Sequence, residues 1–305
     1  MTDTTITRTS PTSTSPTSTT APGQAAPAAM AMPTPPTTVA ERLHWTIADA
    51  RTVMRRNLDR LRHQPGAVAA EVMFPAIMIV LFGYVLGSAI TVPGGGNYRL
   101  YLLPGLFAMT AVSGGMSTMI SVAADAGRGV MDRFRSMPMA RSAVLVGQTG
   151  ADIVIGALSM AVMVVFGLLI GWHPTNGFGP AALAFGLLLA FRYTASWGGA
   201  LLGLTLSEET ADNLIPLVFP ITMLSNAFVP TGNMPTVLRL IAEWNPVSAL
   251  VSACRQLFMG PDSIVTGTSV ALPLRHPVAT TVVWIVVLLT TFVGLSVRRY
   301  RAASR

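Results

Sequence analysis

The chain has 305 residues, of which 51% are hydrophobic and only 11% charged, with a mean hydropathy of +0.56. Soluble domains carry about 25% charged residues, so this composition cannot cover a water-facing surface and indicates a membrane protein. The net charge of +7 rests on 20 basic residues that are all arginine; having no lysine excludes a Walker A phosphate loop and a Schiff-base lysine. The single Cys254 excludes an internal disulfide and a cysteine zinc site, and His44, His63, His173 and His276 do not pair at metal-ligand spacing.

In chain order, residues 1–38 come first as a Thr/Ser/Pro/Ala-rich segment with little apolar surface to bury, expected to be a disordered tail. Thr38 and Glu41 then stand at capping-box spacing and open a helix. Its apolar stripe is Leu43, Ile47, Ala50, Met54, Leu58 and Leu61, and six arginines decorate the other faces. A basic amphipathic helix followed at once by an apolar run reads as an interfacial helix lying on the membrane; packing on a protein partner is the alternative.

A bilayer core of about 30 Å needs roughly 20 apolar residues per helix. Six segments approach this, giving an all-α fold with spans near 68–90, 100–122, 147–171, 181–206, 211–229 and 278–297 in a transmembrane domain over 39–305. The fifth is short in its apolar core and broken by Pro216 and Pro220. Arginines gather before the first span, in the loop after the second (Arg128, Arg133, Arg135, Arg141) and after the last (Arg298, Arg299, Arg301, Arg305). Only Arg99, Arg239, Arg255 and Arg275 fall on the opposite side, so the positive-inside rule places both termini in the cytoplasm. Between the fifth and sixth spans, Thr236–Trp244 and Val247–Met259 are too short to cross and suit re-entrant or outer-surface helices. No connection is long enough for a soluble catalytic domain, so any energy-transducing domain has to be another chain.

Two stretches carry a resemblance. The outer one holds Ser225-Asn226-Ala227-Phe228-Val229-Pro230, then Met234-Pro235, Asn245-Pro246, Arg255 and Gly260. The inner one runs Gly129-Val130-Met131-Asp132-Arg133-Phe134-Arg135-Ser136-Met137-Pro138-Met139-Ala140-Arg141. Together they resemble the ABC-2 type exporter permeases, most closely the daunorubicin/doxorubicin-resistance branch, over about residues 39–301. The resemblance implies a plasma-membrane permease subunit that moves a hydrophobic or amphipathic small molecule, antibiotic-like or lipid, out of the cell. Its partners would be two copies of a separate ATPase chain, which hold the ATP and magnesium, and a second permease subunit, identical or different. No cofactor on this chain, no nucleic acid and no catalysis of its own are implied. The inner stretch, with Arg128, Asp132, Arg133, Phe134, Arg135, Ser136, Pro138 and Arg141, would be the ATPase-coupling segment together with the N-terminal helix; Phe134 between two arginines suits a docking groove. The alternative is that these arginines only hold topology and touch lipid phosphates.

Arg192, in the middle of the fourth span, is the sharpest oddity, because a mid-bilayer arginine costs several kcal/mol unless paired or facing water. It reads either as a cargo contact or as a buried ion pair. Glu71 and Asp152 are the other intramembrane charges, both near the cytoplasmic ends. Met109 and Met116 on the second span would line an adaptable apolar path or simply pack. Gly83/Gly87, Gly167/Gly171 and Gly199/Gly203 would permit close helix approach. Two other classes remain as alternatives. A proton-coupled secondary transporter would use those few intramembrane acids. An intramembrane hydrolase would need a base beside Ser113 or Ser117, and no histidine lies within a span.

Overall fold

The computed structural model describes residues 39–63, 65–82, 98–128, 143–228, 234–260 and 272–302, and all regular structure among them is helical. The N-terminal tail and its Thr38 cap lie outside these residues. In order come α1 (Val39–Arg62), α2 (Pro65–Leu81), α3 (Tyr98–Gly127), α4 (Ala143–Leu169) and α5 (Phe178–Gly203). Then follow α6 (Glu208–Met223), α7 (Thr236–Trp244), α8 (Pro246–Met259), the single turn α9 (Leu272–Arg275) and α10 (Pro277–Ala302).

Four of the described helices are long and apolar enough to cross a bilayer: Tyr101–Gly127, Val144–Leu169, Phe178–Gly203 and Pro277–Arg299. The first predicted span is described only in part, as a helix over Pro65–Leu81, and residues 83–97 lie outside the described set; the fifth differs from expectation. The fifth is a 16-residue helix that starts before the predicted 211. Its N-cap is Ser207, whose hydroxyl accepts from the Thr210 amide at 3.3 Å, with Glu208 and Glu209 at the positive end of the helix dipole. It stops at Met223, where a buried turn through Ser225–Phe228 takes over.

The surface shows which environment the bundle is built for. On α2, Val72, Ala76 and Ile79 are buried at helical spacing, yet the outer face carries Phe74, Ile77 and Val80 exposed. Val154, Leu158 and Val165 on α4 and Val283, Val286 and Val287 on α10 repeat this. Helices that are apolar all round belong in lipid.

The centre is the crossing of α3 with α5. A methyl at Gly199 would strike the Gly115 carbonyl, and one at Gly203 the Met119 carbonyl, so the backbones touch. Of the described glycine pairs read from the sequence, Gly199 and Gly203 are the two that both meet the backbone of another helix. Gly171 instead sits beyond the end of α4 at φ +88°, a turn position, and Gly83 and Gly87 lie outside the described residues.

α1 differs from a helix that merely floats on lipid. Ala50, Val53 and Asn57 are buried, and a methyl at Gly147 of α4 would run into Ala50 and Val53. Met54 is half-buried and packs beside Gly150, and Leu58 is half-buried at the rim of a shallow groove with Arg51 and Arg55. Leu43, Ile47 and Leu61 lie on α1, but their side chains are outside the described set. Ala50, Met54 and Leu58 of the expected stripe thus face the bundle, and the glycine gap on α4 draws Val53 in beside them.

Candidate functional site

At the end of the bundle away from α1, α8 is almost wholly buried against α3, α5 and α10 although it is only 14 residues long. Asn245 caps it, accepting from the Val247 amide at 2.9 Å, and Pro246 takes the first helical position, where no amide is needed. Asn245 also donates to the Leu224 carbonyl at 3.3 Å. Arg255 donates to the carbonyls of Tyr101 (3.2 Å), Asn226 (2.9 Å) and Ala227 (3.0 Å) and lies 3.6 Å over the Tyr101 ring. Phe228 packs on Phe82 with ring centroids 5.9 Å apart. The outer family residues Phe228, Asn245, Pro246 and Arg255 are thus drawn into one knot that fastens α8 to the start of α3 and the turn after α6. Met234 is half-buried and Pro235 is the N-cap of α7; Pro230 lies outside the described residues. α7 itself exposes Val237, Leu240, Ile241 and Trp244, an apolar face suited to a membrane surface.

Arg192 is fully buried at mid-span on α5 and is the hub of the interior. Its Nε donates to Asp152 Oδ2 at 3.0 Å and its Nη2 to Asp152 Oδ1 at 2.6 Å, a two-pronged pair with α4. Nη2 also donates to Glu71 Oε1 of α2 at 2.7 Å, and Nη1 to the Thr110 carbonyl of α3 at 2.7 Å. Ser196, one turn along α5, donates to Asp152 Oδ2 at 2.6 Å. Gly114 and Gly156 make the room: a methyl at either would fall on the Arg192 side chain. Four helices thus meet on one guanidinium. The pairing that the sequence left open for Arg192 has two partners, and Glu71, placed at an interface by its position in the chain, turns inward to be one of them.

Beside this cluster lies a cleft of about 330 Å³ at the end that carries α1. Glu71, Asp152, Ser117, Thr118, Gln148 and Asn57 are among its walls, and Arg128 and Glu208 stand at its mouth. The latter two are paired at 3.5 Å, and Arg56 pairs with the buried Asp125 at 3.2 Å. Gln148 donates to Ser121 at 2.6 Å. The Thr118 hydroxyl, the Gln148 Oε1 and the Asn57 Nδ2 are buried without a partner among the described residues. No sequence pattern marked Thr118, Gln148 or Asn57; they come together only through the fold.

Met109 and Met116, read as a possible cargo path, do not line this cleft. Met109 packs on the main apolar core and Met116 on the smaller cluster of Met119, Ala123 and Ala211. Of the inner coupling residues only Arg128 is placed; Asp132, Arg133, Phe134, Arg135, Ser136, Pro138 and Arg141 lie outside the described residues. Among the described residues, no group of acidic, histidine or cysteine side chains is placed to hold a metal.

A family model described as ABC-2 type transporter matches residues 49–259. The chain is 30% identical over 211 residues to the daunorubicin resistance ABC transporter permease protein DrrB1 of Streptomyces coeruleorubidus, covering 68% of this chain and 74% of that one. It is 23% identical over 226 residues to the ycf38 protein of Pyropia yezoensis, whose own name describes it as a candidate transport permease, covering 70% and 75%.

Proposed function

The chain belongs to the ABC-2 type transporter family, and on that premise we propose that it moves a hydrophobic or amphipathic small molecule outward across the plasma membrane with energy from a separate ATPase chain. It is a multi-pass membrane permease of an ABC exporter, a class of subunit that is not itself catalytic. The cargo, the pairing of two permease subunits, the two ATPase copies carrying ATP and magnesium, and the cytoplasmic placement of both termini are parts of the proposal. In it, α1 and the segment 126–141 dock on the ATPase, and the cleft at their end of the bundle is the cytoplasmic mouth.

One observation carries this reading. The family match, 49–259, runs from the part of α1 that docks on α4 to the last residue of α8, and so takes in every wall of the cleft and the knot that closes the other end. A passage open on one side and fastened on the other suits alternating access. The relative named for daunorubicin resistance supports a drug-like cargo.

The test is transport by inside-out vesicles from cells expressing the tagged chain with the ATPase that co-purifies with it. ATP should drive uptake of a fluorescent amphiphile, and vanadate should stop it. Phe134→Ala should leave membrane insertion intact while ATP hydrolysis continues without uptake. Uptake that ignores ATP depletion but collapses with the proton gradient would replace this reading with a secondary transporter.

A further inference from the structure

Among the described residues, the charges around the cleft do not balance. Arg56 pairs with Asp125, and Arg128 with Glu208. The central cluster has one cation, Arg192, for two carboxylates, Asp152 and Glu71, so with both ionised it carries a net charge of −1. Asp152 is fully engaged by Arg192 and Ser196. Glu71 gives one oxygen to Arg192 and makes no other polar contact among the described residues, and its side chain is 23% exposed on the wall of the cleft. A buried, unbalanced charge is costly unless a counter-charge or water reaches it. The cleft is where one can.

A second observation points the same way. Thr118 and Gln148, 2% and 4% exposed, both line the cleft and each keeps a polar atom without a partner; Asn57, at 7%, does the same with its amide nitrogen. Leaving such groups unsatisfied costs about 1–3 kcal/mol apiece. Three of them on one cavity mark a place built to hold something polar. Its volume of about 330 Å³ lies at the lower end of small-molecule sites, which run from about 300 to 1,000 Å³.

We propose that this cleft is a binding site for the ammonium group of an amphiphilic cation, which Glu71 receives in a wall that also holds the unpartnered polar groups of Thr118 and Gln148. This deepens the exporter reading, and rests on it, by assigning the cargo a positive charge at the end where it enters. Arg192 and Asp152 are the frame: their pairing holds Glu71 in place and keeps the second carboxylate from competing. The ammonium could belong to a free amphiphile or to an ethanolamine lipid headgroup, and the site reads the same chemistry in both.

The experiment uses the full chain in nanodiscs of zwitterionic phosphatidylcholine, without any ATPase. The probes are dansylcadaverine, a primary amine on an aromatic body, and its uncharged N-acetyl derivative. The wild-type chain should bind the amine at least tenfold more tightly than the acetylated form. Glu71→Gln should bring that preference to near one, and Glu71→Asp should keep it; gel filtration and circular dichroism verify that both variants are folded. Equal binding of the two probes by the wild type, or a preference that survives in Glu71→Gln, overturns the site. Displacement of the probe by added phosphatidylethanolamine supports the ammonium site and assigns its occupant to lipid. ATP-driven export of an uncharged amphiphile with no amine preference in binding would sink this inference and spare the exporter reading. An amine preference without ATP-driven export would do the reverse.

Discussion

Replacing Arg192 by methionine keeps most of the side-chain volume and removes the guanidinium. Five hydrogen bonds disappear with it: two to the Asp152 carboxylate, one to its carbonyl, one to Glu71 and one to the Thr110 carbonyl. Asp152 and Glu71 are left as two like charges in the interior with no cation between them. Breaking a buried pair from one side costs about 3–5 kcal/mol, mostly from the charge left behind. The expected loss for Arg192→Met is therefore about 4 kcal/mol, read by denaturant titration of the chain in mixed micelles. The triple variant Arg192→Met, Asp152→Asn, Glu71→Gln removes the orphaned charges as well. It should recover to within about 2 kcal/mol of wild type, because the cost lies in the imbalance rather than in the lost contacts. Two results would refute the reasoning: Arg192→Met as stable as wild type, or a triple variant no better than the single one.

Other variants test other joints. Gly199→Ala puts a methyl onto the Gly115 carbonyl and should cost about 2–3 kcal/mol in the same titration, whereas Gly186→Ala, with open space around it, should be neutral or gain up to about 1 kcal/mol. Arg255→Lys cannot span the three carbonyls that Arg255 joins, so the outer knot should loosen; protease should cut between 228 and 246 several times faster in sealed vesicles with that side outward. Exchanging Arg128 and Glu208 should change stability by less than about 1 kcal/mol, since both side chains are largely in solvent, at 64% and 45% exposed.

The long apolar runs were legible because a bilayer imposes its thickness on them: α3, α4, α5 and α10 fall where hydropathy puts them. The short pair α7 and α8 was legible too, since Pro235 and Pro246 punctuate it and neither piece can cross. What escaped was long-range. Arg192 stood out, but Asp152 and Glu71 are 40 and 121 residues away, and no spacing links them. Charge parity was the available signal, because few ionisable residues lie inside the apolar runs and opposite charges there seek each other. The gaps at Gly114, Gly147 and Gly156 were not readable, since a glycine in a membrane helix looks the same whether or not a neighbour presses on it. On α1 the gap at Gly147 brings Val53, a residue that the predicted stripe did not include, into the contact beside Ala50.

The inward helix α8 has a bearing on how the protein is made. Its last carbonyls are not exposed to lipid: Phe258 accepts from the Thr175 and Asn176 amides at 2.8 and 3.2 Å, and the Asn176 side chain donates to Leu257 at 3.3 Å. Those donors sit in the connection between α4 and α5, which leaves the ribosome some eighty residues earlier. So α8 completes these hydrogen bonds against segments made before it, and those amides bond elsewhere until it arrives. A nascent chain halted before residue 246 would therefore lack the helix that ties the connection between α4 and α5 to the rest of the bundle.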